Sequence, residues 1–502
     1  DILCFQRSTS SEEVLDIQLG RFGDRRADMM RVAVFLGALA VGNGIPWKRE
    51  LKAQQFPWPG EPKTTPLPSK RQLEWQATEF QCFFHFGMNT YDDKEWGTGD
   101  EDPNKFQPTK LNTTQWIETC KNAGGREAVL VAKHHDGFFL FPQPYTNHSV
   151  ASSTWRNGKG DVVADFVASC HKLGIRPSFY LSPWDMNQYN DTWNPAYNKF
   201  YIDTLTYLST NYGKYYQMNW DGANGFSIPP SVYDWKKWLQ ILRDLQPDAV
   251  GGGCGGNEAF GYDCGPDTSW IGNEQGNGLD PCWSAHPGSC EFTNDTIFSP
   301  YVVDVSTRRG WFFHPAQDFI CAEDAKDCEG VRSINNMVNL YYESVGKNAV
   351  LLLNYPPNPD GLVSRHDVTQ ANKLGEYLKK TFSKDFVSKM EAEKNVFVAE
   401  IDASNKHHGD VLCIQEKISD GQRIAEFTSE KLVGNSWQKL VDGKTVGYKR
   451  LIRLGADDLK DVTKIRITVK RTIQNLPGQV TKISVFKQAP LPPKDSPLAS
   501  IS

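Results

Sequence analysis

The sequence predicts an irregular (β/α)8-like TIM barrel followed by a C-terminal antiparallel β-sandwich. Three observations carry that expectation. Between about residue 75 and residue 382, short β-rich runs alternate with amphipathic helices. From about residue 390 the runs turn closely spaced and β-like. No Gly-x-Gly-x-x-Gly turn follows an early strand, which argues against an open doubly wound sheet.

Residues 1–59 read as a signal-like leader and linker. Arg31 precedes the apolar run Val32–Val41, too short to span a bilayer but the length of a signal-peptide core. Met29 and Met30 offer translation starts, and Ala38-Leu-Ala40 offers small residues for cleavage. The barrel is expected over 60–385, with strands at 80–86, 128–133, 176–181, 215–220, 249–252, 269–272, 311–314 and 349–354. A helix over 113–123 follows an Asn/Thr capping cluster, places Trp116, Ile117 and Cys120 on one face and stops at Gly124-Gly125. A second over 161–173 repeats the pattern with Val163, Phe166, Val167 and Cys170, then stops at Gly174. Residues 254–306 are loop-heavy and helix-poor, so the barrel is irregular there.

The sandwich is expected over 390–490, from runs at 396–401, 411–415, 424–427, 438–441, 448–454, 464–470 and 481–487. Its Trp437 and Tyr448 read as core or interdomain packing, and 491–502 as a Pro-rich tail.

A chain of 502 residues with 39% apolar content can bury a large core and exceeds the usual single-core size. The net charge of −5, without a long Lys/Arg block, argues against a nucleic-acid partner. Many of the 15 Trp, 18 Tyr and 27 Phe stand beside Asp, Asn, Glu or His. That mixture suits a sugar, whose C–H faces pack on rings while its hydroxyls seek carboxylates and amides. Of the 11 cysteines, Cys82, Cys120 and Cys170 lie in apolar patterns and are expected as buried thiols. Cys254, Cys264, Cys282, Cys290, Cys321 and Cys328 lie in loops, as disulfides of an oxidising compartment do; Cys282 with Cys290 and Cys321 with Cys328 are short-range candidates. The lack of a Cys-x-x-Cys pair argues against zinc. Sequons at Asn112, Asn147, Asn190 and Asn294 agree with secretion.

The chemistry concentrates at strand ends. The run Val129–Phe138 passes from an apolar strand into His134, His135 and Asp136, placing them at the lip of a barrel site. Asp221 and Glu274 each end a strand-like run at a glycine turn. A retaining glycosidase needs a nucleophile and an acid/base carboxyl about 5–5.5 Å apart, which two neighbouring strand ends can supply.

Together these motifs resemble the α-L-fucosidases of glycoside hydrolase family 29 over about residues 60–490. The resemblance rests on Phe84-His-Phe-Gly-Met-Asn-Thr90, Asp93-Lys-Glu-Trp-Gly97, Ala132-Lys-His-His-Asp-Gly-Phe138, Tyr180-Leu-Ser-Pro-Trp-Asp185, Trp220-Asp-Gly-Ala-Asn-Gly225, Gly265-Pro-Asp267 with Ile271-Gly-Asn-Glu274, Gly310-Trp-Phe-Phe-His-Pro315 and Leu351-Leu-Leu-Asn-Tyr-Pro-Pro357, in that order. It implies a branch that prefers α-1,3/1,4-linked fucose, with plant members similar. It also implies Asp221 as nucleophile, Glu274 as acid/base, and a fucose pocket of His85, Glu95, Trp96, His134, His135, Tyr180 and Trp311. The substrate would be a fucosylated oligosaccharide or N-glycan, with no metal, cofactor, nucleic acid or membrane partner. The location would be extracellular, the apoplast or cell wall in a plant, or else a vacuole or lysosome.

The chain departs from the pattern where Gln217 and Asn219 replace a commonly acidic residue and a tryptophan, with Trp220 shifted by one position, which on a strand is the opposite face. The 254–264 insert matches poorly and leaves Glu258 as a second candidate acid/base. Two other readings stay open: a metal-dependent barrel hydrolase using His85, His134, His135 and an Asp, and a catalytically silent fucose-binding protein.

Overall fold

The computed structural model describes residues 60–492 apart from 190–191, 222–229, 254–265, 288–295, 324, 326 and 403–408. The leader, the tail beyond 492, the Asn190 and Asn294 sequons, Cys254, Cys264, Cys290 and Glu258 lie outside the described residues. No helix among the described residues is long and apolar enough to cross a membrane.

Eight parallel strands form the first sheet. They are β1 (Phe80–Phe84), β2 (Glu127–Lys133), β3 (Arg176–Leu181), β4 (Gln217–Asn219), β5 (Val250–Gly252) and β6 (Ser269–Trp270), then β9 (Tyr301–Ser306) and β10 (Val350–Asn354) after a hairpin of β7 (Ala285–Pro287) and β8 (Thr296–Phe298). Their order is β5-β4-β3-β2-β1-β10-β9-β6, and a parallel bridge between Gly252 and Thr268 joins the two ends into a barrel. Period-2 alternation separates two cores. Phe83, Val131, Tyr180, Val250, Trp270 and Leu352 fill the interior above Trp75, whereas Cys82, Leu130, Phe179, Met218 and Leu353 face the helices.

The helices form where local chemistry starts and stops them. Asn112 accepts from the Gln115 N–H at 3.1 Å to cap Thr113–Ala123, and Gly124 ends it at φ 100°. Asp161 caps Val162–Leu173 at 2.8 Å from the Ala164 N–H, and Gly174 ends it at φ 71°.

Two expectations are corrected. Residues 311–314 are a loop, and the barrel strand of that region is Tyr301–Ser306. The N–H groups of Trp311 and Phe312 go to the Glu95 carboxylate, which removes them from any ladder. Cys82 and Cys120 form a disulfide, not two thiols, because the outer face of β1 meets the inner face of the Thr113–Ala123 helix there, with Cα atoms 5.6 Å apart. Gly125 makes room, since a Cβ at that position would sit 2.5 Å from Cys120 Sγ. Cys321 pairs with Cys328 as anticipated, and Cys170 and Cys282 are buried.

The C-terminal part is antiparallel: β11 (Val387–Glu393), β12 (Val396–Ile401), β13 (Val411–Glu416), β14 (Ile424–Val433), β15 (Ser436–Gly443), β16 (Arg450–Arg453), β17 (Lys464–Thr472) and β18 (Val480–Phe486). They make a five-stranded sheet, β11-β12-β17-β14-β15, and a three-stranded sheet, β16-β13-β18. Strand β11, absent from the sequence expectation, is a charged edge strand with little burial. Strand β13 is buried on both faces: Leu412 and Ile414 face the five-stranded sheet, while Val411 and Cys413, with Leu451 and Phe486, join the core around the barrel helices. Lys449 pairs with Glu79 at 2.5 Å across the same boundary.

After β9, Thr307 Oγ1 donates to Asp367 Oδ1 at 2.6 Å, and Arg308 pairs with Asp367. Both charged side chains are fully buried, and burial raises the Asp367 pKa against the pull of Arg308. Desolvation therefore offsets much of the attraction, but losing one partner strands the other charge. Asp367→Ala is expected to cost about 3–5 kcal/mol in urea unfolding, and the apolar pair Arg308→Met with Asp367→Leu to restore most of it. An unchanged midpoint in Asp367→Ala would show that this ion pair does not anchor the loop.

Candidate active site

Alternation on β4 turns Gln217 and Asn219 inward and Met218 and Trp220 outward, so Asp221 falls next on the inner side. Tyr180, inward on β3, donates its hydroxyl to Asp221 Oδ2 at 2.7 Å. Beneath them Trp75 Nε1 donates to Gln217 Oε1, and Gln217 Nε2 donates to Asn219 Oδ1 at 2.6 Å, a neutral relay where the family pattern commonly has an acidic residue and a tryptophan. Trp220 is fully buried, with its ring centroid 6.3 Å from that of Trp235 in the strand–helix layer, and forms no pocket wall.

Glu274 arrives on the loop after β6, where Gly272 at φ 67° and Glu274 itself at φ 51° turn the chain. A left-handed conformation in a non-glycine residue is a local cost that concentrates at functional sites. By surface area Glu274 is an exposed residue, yet protein packed on its pocket side desolvates the carboxyl. That desolvation, then the charge of Asp221, raises its pKa, while a hydrogen bond from the Trp311 side chain acts in the opposite direction. The two carboxyl groups thus share one electrostatic neighbourhood in unlike surroundings.

Three histidines cluster beside Tyr180. His85 Nδ1 lies 2.9 Å from Asn354 Oδ1, and Asn354 Nδ2 donates to the Trp311 carbonyl at 2.8 Å. A carbonyl only accepts, so the amide is fixed, Nδ1 of His85 carries the proton, and Nε2 is an acceptor for a hydroxyl. Strand β2 ends at Lys133, which releases His134 and His135 from alternation and lets their rings sit 4.0 Å apart, centroid to centroid. His135 Nδ1 lies 2.7 Å from Ser182 Oγ, and His134 Nδ1 lies 3.4 Å from Asn89 Nδ2. Burial lowers His85 and His135 to about 4 and His134 well below its usual value, so all three are uncharged imidazoles near neutral pH. Underneath, buried Lys133 donates to the Trp184 carbonyl at 2.9 Å and pairs with Asp185 at 3.2 Å, which braces this loop.

Trp311 stacks on His85 with centroids 5.0 Å apart, and Trp96, 50% exposed, stands edge-on to His135 at the mouth. Glu95 accepts from Trp311 N at 2.7 Å, Phe312 N at 3.2 Å and His314 Nε2 at 2.7 Å. Asp136 is not at the lip: it is buried and caps the turn by accepting from Phe138 N at 3.1 Å. Sequence reasoning assigned no role to Asn354, Ser182, Trp270 or His314. His314 stood inside the Gly310–Pro315 motif, four residues after the left-handed Gly310, and Trp270 stacks on Tyr180 inside the barrel at 6.5 Å. Among the described residues no group of three His, Cys, Asp or Glu side chains is arranged to hold a metal ion.

The α-L-fucosidase family model matches residues 52–251. The chain is similar to "Alpha-L-fucosidase 1" of Arabidopsis thaliana, 36% identical over 77% of this chain and 82% of that one. A solved glycoside hydrolase 29 family member from an unknown rumen bacterium superposes with TM-score 0.74 at 31% identity, covering 86% of this chain and 79% of the other. A Ruminococcus gnavus GH29 fucosidase in complex with fucose superposes with TM-score 0.70 at 25% identity, covering 86% and 97%.

Proposed function

Because the chain belongs to the α-L-fucosidases of glycoside hydrolase family 29, we propose that it removes terminal α-1,3/1,4-linked L-fucose from oligosaccharides or N-glycans with retention of configuration. Asp221 attacks the anomeric carbon as Glu274 protonates the departing glycosidic oxygen, giving a fucosyl ester on Asp221. Glu274, now ionised, takes a proton from water; the water oxygen attacks the anomeric carbon and Asp221 leaves. Neutral His85, His134 and His135, with Glu95, bind the hydroxyls, while Trp311 and Trp96 supply faces for the ring and methyl.

The observation that carries this reading is the unlike environment of the two carboxyls: Asp221 takes the Tyr180 hydroxyl, while desolvation and the Asp221 charge favour the protonated form of Glu274. The Gly272-Asn273-Glu274 setting supports the α-1,3/1,4 branch. Secretion belongs to the same reading, supported by two disulfides and by the exposed sequons Asn112 and Asn147.

Proton NMR during hydrolysis of α-1,2-, α-1,3- and α-1,4-fucosylated oligosaccharides tests it. The α anomer of L-fucose is expected first, with the α-1,3 and α-1,4 linkages cut fastest. First appearance of the β anomer would exclude double displacement, and preference for α-1,2 would exclude the branch. Fucose binding without turnover would favour a silent binding protein.

A further inference from the structure

The loops after β1 and β9 are joined through one histidine. His314 places Nδ1 2.6 Å from Asp93 Oδ1 and Nε2 2.7 Å from Glu95 Oε1. Ionised carboxylates only accept, so a ring bonded to two of them donates from both nitrogens and is an imidazolium. The rest of the junction leaves little slack. Glu95 also takes the Trp311 and Phe312 N–H groups, Asn89 Nδ2 donates to the Glu95 carbonyl at 3.1 Å, and Asn354 ties the Trp311 carbonyl to His85. Gly310, at φ 75°, is required because a Cβ there would lie 2.3 Å from Glu95 Oε1. The Trp311 side chain in turn acts on the Glu274 carboxyl, opposing the rise in its pKa, so the junction reaches from Asp93 towards Glu274.

We propose that His314 is a positioning residue whose imidazolium pins Glu95 and the Trp311 loop in their fucose-binding geometry, so that fucose affinity falls when it loses its proton. This rests on the fucose-site reading above. The groups facing His314 are Asp93 and Glu95 on the β1 loop; Glu274, on the β6 loop, acts on Glu95, and His85 lies under Trp311. Arg309, on the same loop, is engaged by Glu329. The Glu95 hydrogen bond, ahead of the opposing burial, raises the His314 pKa above the ordinary value, and His85 is already neutral near neutral pH. Below that raised pKa both nitrogens donate. As pH rises through it, one nitrogen turns a lone pair towards a carboxylate oxygen, and the junction loosens.

Calorimetric titration of the full chain with L-fucose from about pH 5.5 to about pH 8.5 tests this, with His314→Gln and Asp93→Asn as variants. In the wild type, affinity is expected to fall roughly tenfold across the range, the scale of one charged hydrogen bond. His314→Gln should bind roughly tenfold more weakly at the acidic end and show a flat profile, with KM for an aryl α-L-fucoside rising more than kcat falls. Asp93→Asn removes one of the two carboxylates that raise the histidine, so its decline should begin at lower pH. A flat wild-type profile, or a His314→Gln variant with wild-type affinity and pH dependence, overturns the proposal. If His314→Gln does not fold, the wild-type and Asp93→Asn profiles decide. No binding of L-fucose at any pH would instead remove the fucose-site reading itself.

Discussion

Asp221→Gly is expected to lose on the order of 10⁴-fold in kcat, with azide restoring part of it as β-L-fucosyl azide. In the proposed mechanism the residue supplies the atom that bonds to the anomeric carbon, so its loss removes the covalent step and leaves only binding and proton donation. The glycine opens a void beside Tyr180, whose hydroxyl loses its 2.7 Å acceptor, and a small anion can occupy that space. Azide enters from the face that the carboxylate used and displaces the aglycone once, so the product is inverted, whereas the wild type displaces twice. Activity within tenfold of wild type, or an azide adduct of α configuration, would assign the nucleophile elsewhere.

Glu274→Ala should separate substrates by leaving group. With an unactivated glycan, kcat should fall about 10²–10⁴-fold, because the departing oxygen needs a proton. With an aryl fucoside carrying a good leaving group, kcat/KM should stay near wild type while kcat drops, since the ester forms but hydrolyses slowly without a base. The pH dependence has a defined sign. In the proposed mechanism the acid form of Glu274 starts the reaction, and burial together with Asp221 raises its pKa. Wild-type kcat for the glycan should therefore decline as pH rises through that raised value, and the alkaline limb should vanish in Glu274→Ala. A limb that persists unchanged in the variant would place the proton donor on another residue. The His314 effect is read in affinity, so the two titrations are separable.

Much of this was legible before the coordinates. The helices over 113–123 and 161–173 announced themselves by side-chain caps, one apolar face and a terminal glycine, and both formed as expected. The strands bearing His85, His134, Tyr180 and Asp221 were apolar runs stopped by polar residues, which is how a barrel strand delivers a side chain to its rim. What failed was non-local. The segment 311–314 looks like a strand because three aromatics stand together, but its N–H groups belong to a carboxylate 216 and 217 residues away. The Cys82–Cys120 pair joined two patterns that each read as ordinary core, and only the packing of helix on strand brings the sulfurs together. Tyr301-Val-Val-Asp-Val-Ser306 carries a readable strand pattern, obscured by the loop-rich stretch before it. His314 needed both its acids to be seen, and these come from a different loop.

The two-faced burial of β13 bears on how the molecule comes apart. Val411 and Cys413 complete hydrophobic packing that begins on the barrel side, so a chain cut near residue 385 would expose apolar surface to water. The two halves consequently share a melting transition instead of behaving as beads on a string, and truncating the C-terminal sheets to obtain a minimal enzyme would cost the catalytic half its own solubility.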